Sequence, residues 1–68
     1  MSQEARDVWA WVLSTNTRPG DGIPLKPFTL WCLNQSVTPM HYKSALDELC
    51  QLGRLKKRSA DEWDYFRA

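Results

Sequence analysis

The sequence predicts a small α+β fold in which three helices and a short edge strand precede a C-terminal two-stranded hairpin. The 68 residues form a single domain (1–68), and the hydrophobic share of 43% with four tryptophans is sufficient for a small core. Residues 37–55 carry sequence markers for both ends of a helix. After Gly53 the helical spacing stops, and a basic run and an aromatic segment follow, as in two strands joined by a turn.

The third helix is predicted from Pro39 to Leu52. Thr38 is a suitable N-cap, and Pro39 falls at the first helical position, where its missing N–H costs nothing. Gly53 supplies the left-handed residue that ends many helices. A spacing of three and four marks an apolar stripe, formed by Tyr42, Ala45, Leu46, Leu49 and Leu52. We expect the helix to present a polar face outward, formed by Met40, His41, Lys43, Ser44 and Asp47.

Two helices and a short strand are predicted before it. Residues 2–15 read as a helix with an apolar stripe of Ala5, Val8, Trp9, Val12 and Leu13. Residues 23–25, which are flanked by prolines, predict a minimal edge strand. Because proline is not expected inside a helix, the second helix is predicted to begin at or just after Pro27 and to cover residues 28–34. Its residues are apolar nearly all round, so we expect it to be mostly buried.

The hairpin is predicted from residues 54–58 and 62–67, with residues 59–61 as its polar tip. Strand alternation directs Leu55 inward and places Trp63 and Tyr65 on one face of the second strand. Four of the nine basic residues lie in 54–58, although the net charge is only +1. The acidic residues Asp47, Asp61, Glu62 and Asp64 oppose this charge, so an anionic partner would be bound weakly or with help from another protein.

Several functions are not expected from the residues present. Apolar runs fall short of the ~20 residues that a membrane span needs, and no basic segment with an apolar run opens the chain, so we expect a cytoplasmic protein without a secretory signal. Cys32 and Cys50 lack metal-ligand spacing and are expected to be free thiols. The only histidine, His41, has no nucleophile or carboxylate at motif spacing. We therefore expect no enzyme activity, no catalytic residue, no metal and no cofactor.

The order of parts, with ALDELCQLGRLKKR followed by DEWDYF, resembles the winged helix-turn-helix superfamily, in its small bacterial or phage type. In the family pattern, Ala45, Leu46, Leu49, Gly53 and Leu55 hold the third helix and the first wing strand, and an aromatic residue such as Tyr65 closes the second strand. The resemblance implies a regulator of transcription that binds double-stranded DNA. It also implies that the third helix enters the major groove, while the wing follows the phosphate backbone.

The candidate DNA contacts are accordingly Thr38, Met40, His41, Lys43, Ser44, Arg54, Lys56, Lys57 and Arg58. His41, Lys43 and Ser44 carry donors for base edges or phosphates, and the basic strand has the charge to neutralise ~2–3 phosphates. The alternative is a protein–protein interaction module of the same fold, with another protein or a second copy as partner. One contiguous basic face would favour DNA, whereas cations dispersed among acidic residues would favour a protein partner.

Overall fold

The computed structural model describes residues 1–59 and 63–68. In these residues the chain forms α1 (Gln3–Ser14), α2 (Leu25–Asn34), a 3-10 turn (Pro39–Tyr42), α3 (Lys43–Gln51), β1 (Leu55–Lys57) and β2 (Tyr65–Arg67). The strands pair antiparallel, with Leu55 opposite Arg67 and Lys57 opposite Tyr65. The predicted α+β class is therefore confirmed. Most of the predicted hairpin tip, and the acidic residues Asp61 and Glu62, lie outside the described residues.

The core lies between the helices and one face of the sheet. Its buried side chains are Ala5, Val8, Val12, Phe28, Cys32, Tyr42, Ala45, Leu46, Leu49, Leu55 and Tyr65. The predicted stripes of the first and third helices are confirmed for most of their members. They are wrong for Leu13 and Leu52, which are 49% and 52% exposed. Both residues lie at helix C-termini, and helical spacing does not predict whether a neighbouring element extends far enough to cover them.

The third helix covers nearly the predicted span but begins with a different geometry. Pro39–Tyr42 is a 3-10 turn, and the α-helical part starts at Lys43. Thr38 has the extended backbone of a cap residue, although its side chain makes no capping hydrogen bond. Gly53 has φ +76°, and the N–H groups of Gly53 and Arg54 donate to the carbonyls of Cys50 and Leu49 at 3.0 and 2.9 Å. These two bonds close the helix and turn the chain directly into β1.

The second helix begins earlier than predicted. Pro24 is its N-cap residue, and Pro27 falls in its first turn. A proline is tolerated there, because the first N–H groups of a helix have no acceptor within the helix. The predicted strand 23–25 is correspondingly wrong. In its place an isolated bridge joins Gly22 to Phe66.

The expectation that the second helix is mostly buried is also wrong. Phe28 and Cys32 are buried, whereas Leu25, Leu30 and Leu33 are between 48% and 58% exposed. Only one side of α2 packs against the rest of the protein. The sequence missed this asymmetry because the apolar residues of α2 lie on both sides of the helix.

Both cysteines carry free thiols, with Cys32 buried and Cys50 partly buried. Burial raises the pKa of both thiols above its ordinary value. In residues 1–59 and 63–68, no group of three or more His, Cys, Asp or Glu side chains is arranged to hold a metal ion. Within the same part of the chain, no helix has the length and apolar character that crossing a membrane requires.

Candidate nucleic-acid interface

The outward face of α3 lies opposite its buried stripe. Helical spacing places Ser44, Asp47 and Gln51 on this face, one turn apart. Ser44 and Gln51 are exposed, and the side chain of Asp47 is 50% exposed. Met40, on the preceding 3-10 turn, is 60% exposed. The predicted outward positions of Met40 and Ser44 are therefore confirmed, and that of Asp47 is confirmed in part.

Lys43 does not face outward as predicted. Its side chain is only 20% exposed, and its Nζ lies 3.2 and 3.3 Å from the two carboxylate oxygens of Asp47. The same Nζ donates to the Tyr65 hydroxyl at 2.6 Å, and that hydroxyl donates to Asp47 Oδ1 at 2.5 Å. We call these three residues the clasp. The sequence did not indicate it because Tyr65 belongs to β2 and reaches α3 only in the folded chain.

The clasp holds its residues in fixed charge states at neutral pH. The hydrogen bond from Tyr65 lowers the pKa of the Asp47 carboxyl, and the bond from Lys43 lowers it further. The hydrogen bond to Tyr65 raises the pKa of Lys43. Burial, followed by the bond to Asp47, raises the pKa of Tyr65 to about 12. The clasp therefore contains one positive charge, one negative charge and a neutral tyrosine.

The sheet has two chemically different faces. On the inner face, Leu55 is buried and Lys57 lies with its Nζ 5.3 Å from the centre of the Tyr65 ring. Strand alternation places Arg54, Lys56 and Arg58 on the outer face, where all three are exposed. Within the described residues, none of these four basic side chains forms an ion pair with a carboxylate. Among the residues that the structure describes, the outer face therefore carries a row of cations without an ion pair.

Two neighbouring groups hold the guanidinium of Arg58, at the C-terminal end of this row. The guanidinium of Arg58 donates to the backbone carbonyl of Gly20 at 2.6 Å. It also lies 4.7 Å from the centre of the Phe66 ring, in a cation–π arrangement. Neither contact supplies a negative charge to Arg58.

Arg67 is a basic residue that the sequence did not single out, and it lies opposite Leu55, on the inner face of the sheet. The guanidinium carbons of Arg54 and Arg67 lie 5.2 and 5.6 Å from the centre of the Trp9 ring. Arg67 also donates to the backbone carbonyl of Thr17. The predicted register of the strands brings the ends of β1 and β2 together, but the contact with Trp9 depends on how α1 packs beside the sheet.

His41 and Ser44 lie beside a shallow pocket between the third helix and the start of α1. The pocket has a volume of about 320 Å³ and is lined by Ser2, Glu4, His41, Ser44, Ala45 and Glu48. The backbone N–H of Ser2 donates to Glu48 Oε2 at 2.8 Å and so joins the start of α1 to α3. The nearest charged groups to His41 and Ser44 in this pocket are thus carboxylates. Thr38, the remaining candidate contact, is exposed just before the 3-10 turn.

The described residues therefore form an α+β domain with a clasp on one side of its sheet and a row of unpaired cations on the other. Comparisons of this chain with protein-family models, with curated proteins and with solved structures each find no match. A functional interpretation consequently depends on the geometry and charge of this chain's own side chains.

Proposed function

We propose that this chain is a DNA-binding domain of the winged helix-turn-helix class and acts in the regulation of transcription. The sheet serves as the wing, and α3 is the helix presented to the major groove. The order of three helices followed by an antiparallel pair of strands is compatible with this class. The observation that supports binding to DNA is the row of exposed, unpaired cations formed by Arg54, Lys56 and Arg58.

The spacing of this row suits a polyanion. Alternate residues of a strand are ~7 Å apart, so the three cations extend along the outer face rather than converging on one point. A groove edge offers a similar row of phosphates, and each phosphate that a cation neutralises releases counterions. Arginine can also donate two hydrogen bonds to one phosphate. The outer face would therefore supply affinity that is independent of sequence and sensitive to salt.

The outward face of α3 would supply sequence readout rather than affinity. In α3 the single lysine, Lys43, is paired with Asp47, and Glu48 leaves the side chains of this helix with a net negative charge. Exposed polar groups remain there on Ser44 and Gln51, and His41 lies on its flank. Such groups hydrogen-bond to base edges when phosphate contacts elsewhere hold the helix in the groove.

A protein–protein interaction module is the second candidate. Leu30 and Leu33 are each 58% exposed, and helical spacing places them on one side of α2. Exposed apolar side chains that share a helix face favour a protein partner or a second copy over a nucleic acid. This candidate expects the cations of the outer face to have no effect on partner binding.

The test is the anisotropy of a fluorescent duplex measured against protein concentration at several salt concentrations. We expect binding to weaken with salt, and Lys56→Gln to reduce the slope of log affinity against log salt by about one unit. Lys26→Gln is the matched control, because Lys26 is an exposed lysine on α2, away from the sheet. It should leave the slope unchanged. If the folded parent binds no duplex even at low salt, the proposal is rejected in favour of the interaction module.

A further inference from the structure

We infer that Asp47 determines specificity, its carboxylate accepting a hydrogen bond from the exocyclic amino group of a cytosine in the major groove. This inference rests on the proposed function. Asp47 follows Ser44 and precedes Gln51 on the outward face of α3, and its bond to Tyr65 places it on the side of that face nearest the sheet. It is therefore on the helix surface that would face the base pairs, beside the wing.

The carboxylate is already oriented before any ligand binds. Oδ1 accepts from the Tyr65 hydroxyl at 2.5 Å, and both carboxylate oxygens lie within 3.3 Å of Lys43 Nζ. Half of the side chain nevertheless remains exposed. Oδ2 accepts the longer bond from Lys43, and a carboxylate oxygen has a second lone pair for a further donor. A pre-oriented acceptor loses little conformational freedom on binding, which favours a role in recognition.

The charge of Asp47 is balanced within the protein. A free carboxylate on this face would be repelled by DNA, and the sequence alone suggests that outcome. In the structure, Lys43 neutralises the carboxylate, and the positive charge of Lys57 acts on it as well. The carboxylate can therefore approach the groove as part of a neutral pair, while its exposed oxygen still accepts hydrogen bonds.

The chemistry of base edges selects cytosine. Cytosine presents only an amino donor in the major groove, and carboxylates are its usual side-chain acceptor. Guanine presents two acceptors and thymine one, and both would repel a carboxylate. Adenine presents an amino donor beside the N7 acceptor, so a carboxylate gains less from it. Ser44 and Gln51 both donate and accept, and they therefore impose a weaker preference.

The experiment is selection of binding sites from a randomised duplex library, with sequencing of the bound fraction. The parent protein should select cytosine at one position, with about five- to tenfold preference over thymine. Asp47→Asn should lose that preference or shift it to adenine, because an amide both donates and accepts. Glu48→Gln is the matched control: it removes the same charge one residue further on, where the carboxylate faces α1. It should leave every position unchanged.

Circular dichroism will establish that each variant is folded. If Asp47→Asn does not fold, Tyr65→Phe carries the test, because it keeps the carboxylate but removes the hydrogen bond that orients it. It should reduce the cytosine preference. Two outcomes overturn the inference but leave the proposed function in place. In the first, the parent binds DNA without selecting cytosine. In the second, the preference for cytosine persists in Asp47→Asn. A parent that binds no duplex rejects both.

Discussion

Basic residues lie on both sides of the sheet, but their electrostatic surroundings differ. On the inner side, Lys43 is paired with Asp47 and bonded to Tyr65, and Lys57 lies beside the same tyrosine. On the outer side, Arg54, Lys56 and Arg58 form no ion pair within the described residues. A count of lysines and arginines treats the two sides alike. The comparison shows that Lys43 is paired within the protein, whereas the outer cations form no such pair among the described residues.

The two sides should also differ in what they contribute to folding. The clasp joins α3 to β2 through hydrogen bonds between partly buried groups, so its loss should reduce stability. Exposed cations without partners contribute little to the folded state. Stability should therefore depend on the inner side, and binding on the outer side.

The largest expected effect is a loss of stability when the packing of the sheet against the core is weakened. Leu55 is fully buried at the start of β1, and Leu55→Ala should lower the free energy of unfolding by about 2–5 kcal/mol. Urea denaturation monitored by circular dichroism measures the change. Leu52→Ala, at an exposed leucine three residues earlier, is the control and should change stability by less than about 0.5 kcal/mol. Equal losses in the two variants would show that the sheet does not pack through Leu55.

The second effect is a loss of stability at alkaline pH to which the inner side contributes through Tyr65. The pKa of Tyr65 is raised from 10.0 in the unfolded chain to about 12 in the folded protein. Its contribution is therefore complete below pH 10 and is lost as the pH rises towards 12, by about 2–3 kcal/mol in all. Lys43, whose pKa is also raised, acts in the same direction.

Urea denaturation repeated between pH 8 and 12 measures this loss. The free energy of unfolding should be ~3 kcal/mol lower at pH 12 than at pH 8. In Tyr65→Phe the stability at neutral pH should be lower, and the decline above pH 10 should be shallower than in the parent. The raised pKa of Tyr42 leaves a residual decline in both proteins. Parallel declines in the parent and in Tyr65→Phe would be inconsistent with a buried, hydrogen-bonded Tyr65.

The smallest expected effect is the change in the free energy of unfolding when either of two lysines is replaced. Lys43→Gln removes the cation of the clasp and should lower the free energy of unfolding by about 1 kcal/mol. Lys56→Gln removes a cation of the outer face and should change it by less than about 0.5 kcal/mol. Thermal melts of both variants at neutral pH provide the measurement. A larger loss for Lys56→Gln would reverse the assignment of the two sides.

The sequence determined the features that depend on neighbouring residues. Ser2 caps α1 by accepting from the Ala5 N–H, and Gly53 ends α3 with a positive φ. Hydrogen bonds of this kind join residues within one helical turn, so residue type and spacing indicate them, although Thr38 in the same kind of position makes no side-chain capping bond. The same holds for the buried stripes of α1 and α3, and for the inward position of Leu55.

The tertiary structure alone decided the contacts between elements. Lys43 meets Tyr65 across 22 positions of sequence, Arg67 meets Trp9 across a longer separation, and α2 leaves one side uncovered. Helical and strand periodicity give the direction of a side chain relative to its own element, but not which neighbouring element lies in that direction. The charge that remains available for a partner therefore depends partly on packing, because spacing within α3 is sufficient for the Lys43–Asp47 pair but only the folded chain brings Tyr65 to it.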